Sequence, residues 1–190
     1  MAIGDVNSVE RGSGARFNDG KIKMEYIPAD IVWQHGQFKN AGRMHEPHEA
    51  SALDILYHLS VFEEGDDGAI VAVFNDIPED HRWRSTCEQF DFGAKKYAAW
   101  NWAKGMKWSV PIACIKRHCM ALLDGELIDP ESGVSHFGAV GCNVVMLMHY
   151  VDHYREGDDR PPKEYFSIEE QKLDVYDPSV VLTPFYTDTR

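Results

Sequence analysis

The sequence predicts an all-α fold, mostly a helical bundle, and three features carry that expectation. Apolar residues recur three and four apart in successive stretches, which places them along one face of a helix. Residues suited to opening and closing helices bound those stretches. The connections between them are short and polar, as between neighbouring helices of a bundle. With 44% hydrophobic and 12% aromatic residues in 190, the chain can fill one core of ordinary size, which excludes disorder throughout.

Residues 1–22, rich in Gly, Asn, Asp and Ser, read as a mobile N-terminal arm. Met24-Glu-Tyr-Ile-Pro28 is a short apolar docking segment. From Pro47 a helix is expected, with Ala52, Ile55, Leu59 and Phe62 on its apolar stripe and Glu63–Gly68 as a solvated stop. Ala69–Phe74 is a short apolar run whose periodicity fits either a buried strand or a helix fragment. Trp83, Cys87, Phe90, Ala94 and Tyr97 step by 4, 3, 4, 3 and predict an amphipathic helix over about 82–98. Ser109 and Pro111 suit the opening of the next helix, whose stripe is Ile112, Ile115, Cys119 and Leu122, and Gly125 suits its end. A polar turn, Glu126–Gly133, follows. Ser135 is placed to cap a last helix carrying Phe137, Val140, Val144, Leu147 and Val151. Residues 23–157 thus form the helical domain, and 158–190, with Arg160-Pro-Pro162, an irregular C-terminal tail.

Charge narrows the function. Lys and Arg number 19 against 31 Asp and Glu, a net charge of −12. No basic face is evident, so a nucleic-acid partner is not expected. A small anion is compatible wherever local cations or a metal ion outweigh the overall field. Cys87, Cys114, Cys119 and Cys142 lie in apolar segments without CxxC spacing and read as reduced core residues of a cytoplasmic protein. The N-terminus lacks the basic start and apolar run of a signal peptide, and no apolar stretch is long enough to span a membrane.

Polar residues of the second half concentrate in two places. His118, beside Arg117, falls between Ile115 and Leu122 on its helix. His136 and Asn143, seven apart, share a face of the last helix. The turn between these helices supplies Glu126, Asp129 and Glu131. Together they form either a site for a divalent ion with oxygen and nitrogen ligands or a solvated turn beside core histidines. The second place is Lys95-Lys96-Tyr97 with Asn101-Trp102. These residues read either as lysines favoured at a helix C-terminus or as a phosphate contact with a tryptophan base platform. Arg16, Asn18 and Lys21 of the arm could fold over such a ligand. His149 and His153 have zincin spacing without its glutamate, His45-Glu-Pro-His48-Glu49 suits a helix start, and Glu88/Asp91 suits an exposed face. Walker A, GxGxxG and GxSxG patterns are absent.

Taken together, three segments resemble one family. They are Gly14–Lys21 with Ile27-Pro28; Phe92-Gly-Ala-Lys-Lys-Tyr97 with Asn101-Trp102; and Arg117-His118 through Gly125-Glu126, Asp129-Pro-Glu-Ser-Gly133, His136 and Cys142-Asn143. The pattern resembles the phage and bacterial dATP/dGTP diphosphohydrolase domain, the MazZ-like group related to MazG pyrophosphohydrolases. Residues 36–82 look like an insertion relative to it. The MazG pattern of ExxE followed by ExxD is represented by Glu126-Leu-Ile-Asp129 alone, the nearest ExxE being Glu46–Glu49, and Ala139 stands where a second histidine is expected.

The resemblance implies hydrolysis of dGTP, and dATP with it, to monophosphate and pyrophosphate. In phages that replace adenine with diaminopurine, that dGMP feeds the modified nucleotide. It also implies a homo-oligomer, dimer or tetramer. On this reading Glu126, Asp129 and His136 hold Mg²⁺ or Mn²⁺, and His118, Glu131 and Glu126 are the catalytic group. Arg16, Lys21, Lys95, Lys96, Tyr97, Asn101, Trp102, Arg117 and Asn143 contact the nucleotide. Two rivals stay open: a catalytically inactive nucleotide-binding module, and a phosphohydrolase releasing triphosphate.

Overall fold

A computed structural model describes residues 2–165 except 19, 40, 41 and 43. Most of the expected tail, 166–190, lies outside the described residues. The elements are strands β1 (Ala2–Ile3) and β2 (Arg16–Phe17) and helices α1 (Ala29–Lys39), α2 (Pro47–Glu63), α3 (Ala69–Asn75), α4 (Glu79–Arg82), α5 (Arg84–Lys96), α6 (Ser109–Leu123) and α7 (His136–His153). The fold is all-α. Its only sheet among the described residues is the antiparallel pair β1–β2.

Helices α2, α6 and α7 form where the stripes place them. Pro47 opens α2, and the Glu46 N–H donates to the Glu49 carboxylate at 2.8 Å, half of a capping box. Ala52, Ile55, Leu59 and Phe62 are fully buried. Ser135 caps α7 by accepting from the Phe137 N–H at 3.3 Å. Gly125 follows α6 with φ 83°, left-handed backbone that costs glycine nothing. Helices α2, α6 and α7 enclose the core, with Trp108 and Phe62 stacked at 5.9 Å and the Arg160 guanidinium over both rings.

One open reading is decided and one expectation changes. Ala69–Phe74 is helical, the second of its two readings, and the described residues of 36–82 carry helices; the strand pair lies in the arm. Helix α1 has no clear apolar period and is legible only in the structure. The apolar stripe of α5 is not its buried face. Trp83 and Cys87 are exposed and Phe90 half-buried, while Ser85 and Thr86 are buried against α7. Gly138 and Gly141 explain this inversion. A Cβ at either would run into Ser85 or Thr86, so the helices meet through their smallest residues. Cys87 is therefore no core residue, whereas Cys114, Cys119 and Cys142 are, and all four are free thiols. No helix among the described residues is long and apolar enough to cross a membrane.

A buried ion pair ties the arm to this frame. The Lys116 ammonium, fully buried on α6, meets the Glu63 carboxylate at 2.5 Å and donates to the carbonyls of Ile27 (2.5 Å) and Met24 (3.4 Å). Glu63 also accepts the first N–H of α1, from Ala29, at 2.7 Å. This fixes the segment 24–28 that leads back to the arm.

Candidate active site

A cavity of about 720 Å³ opens between the arm, the end of α5, the loop 97–106, α6, the Glu126–Glu131 turn and α7. Every expected site residue lines it except Lys95. Neighbours on a helix point about 100° apart, so Lys96 faces the cavity while Lys95 pairs with Asp91 on the exposed side.

Cations gather on one wall. Arg16, on β2, reaches across to α7, where it donates to Asn143 Oδ1 at 2.6 Å, and it approaches Cys114 Sγ of α6 at 3.0 Å. Arg117 approaches the same sulfur at 2.8 Å and donates to the Ile22 carbonyl at 3.0 Å. Burial raises the Cys114 thiol pKa, but the two guanidiniums outweigh burial and leave it below its ordinary value. Sequence reasoning missed this thiol as a site residue. Its one signal was position: three residues before Arg117, it shares that residue's helix face.

Two amides expected to touch the nucleotide are spent on architecture. Asn101 accepts from the Ala15 N–H at 3.0 Å and donates to the Ala15 carbonyl at 2.9 Å, clamping the arm as a strand partner would. Asn143 donates to the Ala139 carbonyl at 2.7 Å while orienting Arg16. Tyr97 accepts from the Phe17 N–H at 3.4 Å, with the two rings 5.1 Å apart. Trp102 packs inward against Phe90 (5.5 Å) and His149 (5.3 Å), and its carbonyl accepts the Tyr150 hydroxyl at 2.6 Å.

Glu131 is held by two lysines, Lys21 of the arm at 2.7 Å and Lys96 at the end of α5. Burial alone would raise this carboxyl; the lysine hydrogen bonds outweigh it and hold the pKa at about 2. A carboxylate so acidic is a poor general base near neutral pH.

The histidines line the same cavity. His118 and His136 touch through their Nδ1 atoms at 2.8 Å. Desolvation lowers both pKa values. For His118 the neighbouring imidazole and the arginines lower it further; for His136 the Asp129 and Glu126 carboxylates partly oppose the shift. Both rings are therefore neutral near pH 7, and one Nδ1–H donates to the other Nδ1.

The donors available to a divalent ion follow from the same contacts. His136 Nε2 is buried without a hydrogen-bond partner, 3.8 Å from Glu126 Oε2. A metal-ligating imidazole ordinarily donates its other N–H to a fixed acceptor, and His118 Nδ1 is within reach of His136 Nδ1 for such a bond. Asp129 is engaged within its own turn, accepting from the Glu131 N–H (3.1 Å) and the Ser132 hydroxyl (2.8 Å). Among the described residues no three His, Cys, Asp or Glu side chains converge as a complete cage. The set instead fits an ion held by one or two carboxylates and an imidazole, with phosphate oxygens supplying the rest.

Comparison with known proteins adds one match. Residues 77–160, which run from just after α3 past α7 and contain the histidines, the acidic turn and Lys96, match the family model described as dATP/dGTP diphosphohydrolase, N-terminal. The arm and α1–α3 lie outside the matched residues. No curated protein and no solved structure matches the chain.

Proposed function

We propose, from the match of residues 77–160 to the dATP/dGTP diphosphohydrolase family model, that the chain hydrolyses dGTP, and dATP with it, to monophosphate and pyrophosphate. The observation that carries this reading is the polarity of the cavity. Lys21, Lys96, Arg16 and Arg117 line it in a protein of net charge −12, together with a neutral histidine pair and the carboxylate of Glu126. Such a wall suits the charge of a triphosphate, and the aromatic side suits a base.

On this reading Glu126, Asp129 and His136 Nε2 would hold Mg²⁺ or Mn²⁺, which would offset phosphate charge and supply a more acidic water. Water attacks the α-phosphorus, forming a P–O bond as the bond to the β-bridging oxygen breaks and pyrophosphate leaves. His118, whose Nδ1 accepts from the His136 Nδ1–H, orients that water, and the Glu126 carboxylate takes its proton. Arg117 and Lys96 offset charge on the departing pyrophosphate, and Lys21 closes over it from the arm. Arg16 is held by Asn143 and Cys114, so it is pre-aimed rather than recruited. A dimer or tetramer would also cover the exposed Trp83 edge of α5.

Incubating the protein with each of the four dNTPs, with Mg²⁺ or Mn²⁺ and with chelator, tests the reading by product chromatography. Metal-dependent dGMP and dAMP with pyrophosphate support it, and release of triphosphate overturns it. One observation favours the rival of binding without turnover: among the described residues these side chains do not converge as a complete metal site. Nucleotide binding with no product from a folded sample would establish that rival.

A further inference from the structure

We propose that Trp100 is the platform on which the purine ring stacks, and that its left-handed backbone serves to present the indole to the cavity. This rests on the nucleotide reading above and adds the residue that recognises the base. Trp100 has φ 61° and Ala98 φ 147°, the non-glycine residues of positive φ among those described. An L-residue with a side chain resists that region, because Cβ crowds the following carbonyl. Outliers of this kind persist where surrounding structure enforces them, and they concentrate at ligand sites.

The indole is 73% exposed yet lines the cavity, so its large apolar face lacks cover. Trp102 supports it from behind at 6.0 Å and is itself wedged against Phe90 and His149. The strain is enforced by the next residue. Trp100 immediately precedes the 3₁₀ turn Asn101–Lys104, and Asn101 is clamped to Ala15. The contact that holds the arm over the cavity therefore also aims the indole. Glycine at 100 would adopt the same backbone without strain, but it would present no ring.

The ligand class follows from the surface. A two-ring base offers an aromatic face of matching extent, and stacking discriminates by ring size while leaving the phosphates to the cationic wall. A dNTP then lies with its base on Trp100 and its triphosphate toward Lys96 and Arg117.

The test uses the full chain and two probes, dGTP and inorganic tripolyphosphate, titrated in EDTA and again with Mg²⁺. Trp100→Ala is expected to weaken dGTP binding roughly 5- to 150-fold, the range of single base–aromatic contacts, and to leave tripolyphosphate binding unchanged. Trp100→Phe should keep most of the dGTP affinity. Trp100→Gly separates platform from scaffold: it should melt a few degrees higher as strain is relieved, while losing dGTP as the alanine variant does. Unchanged dGTP affinity in Trp100→Ala overturns the proposal, as does an equal loss of tripolyphosphate. A change of oligomeric state on sedimentation, with nucleotide affinity intact, would instead make Trp100 an interface residue. The hydrolase reading fails separately: wild-type chain that binds dGTP through Trp100 but turns none over keeps the platform and loses the enzyme.

Discussion

Replacing Lys116 by Met tests how firmly the buried ion pair holds the site in place. The ammonium is fully buried, and its partners are Glu63 at 2.5 Å and the carbonyls of Ile27 and Met24. Methionine fills the space but leaves a buried carboxylate without its counter-charge and two carbonyls without a donor. Removing one partner of such a pair costs about 3–5 kcal/mol. At roughly 2–4 °C per kcal/mol for a chain of this size, the melting temperature should fall by about 6–20 °C. The surface pair Lys95–Asp91 provides the internal control, since exposed pairs of this kind contribute about 0.2–1 kcal/mol. Glu63→Gln combined with Lys116→Met should recover most of the loss. The amide can still accept from the Ala29 N–H, and no charge remains buried. Thermal and urea unfolding of the two singles and the double close a double-mutant cycle. A Lys116→Met loss below about 1 kcal/mol, or a double variant no better than the sum of its singles, would refute the reasoning.

Gly141→Ala should destabilise by about 1–3 kcal/mol despite alanine's better helix propensity, because its methyl meets the Thr86 hydroxyl across α5; a more stable variant in urea unfolding contradicts the close packing. Glu131→Gln frees Lys21 and Lys96, so tripolyphosphate should bind more tightly in EDTA, and weaker binding by calorimetry would show that the carboxylate is needed there. Burial raises the Asp67 carboxyl, but hydrogen bonds from Arg155 and Arg160 outweigh this and lower its pKa. Folded Asp67 thus binds its proton less readily than unfolded Asp67. Its contribution is complete above the unfolded pKa of about 4 and is lost as pH falls through the lower folded value. Asp67→Asn should therefore be less stable at pH 7 yet lose less on acidification, and parallel stability–pH curves for the two proteins count against the pairing.

Helices α2, α6 and α7 were legible in the sequence because burial on one face imposes a 3.6-residue period, and Ser135, Pro47 and Gly125 mark ends by local chemistry alone. The same logic brought His118, the acidic turn and His136 together, since two helices joined by a short turn must lie side by side. Local pattern failed where a neighbour decided the outcome. The apolar stripe of α5 pointed to the wrong buried face, because Gly138 and Gly141, far along the chain on α7, let Ser85 and Thr86 approach that helix instead. Asn101 and Asn143 line the cavity as expected, but their hydrogen bonds to the arm and to Arg16 were not legible in the sequence. The thiol of Cys114 between two guanidiniums, and the left-handed Trp100, arise from contacts with β2 and the clamped turn. Periodicity records only which residues avoid water. Which polar group meets which, across a hundred residues of chain, is set by packing, and that is what only the tertiary structure decided.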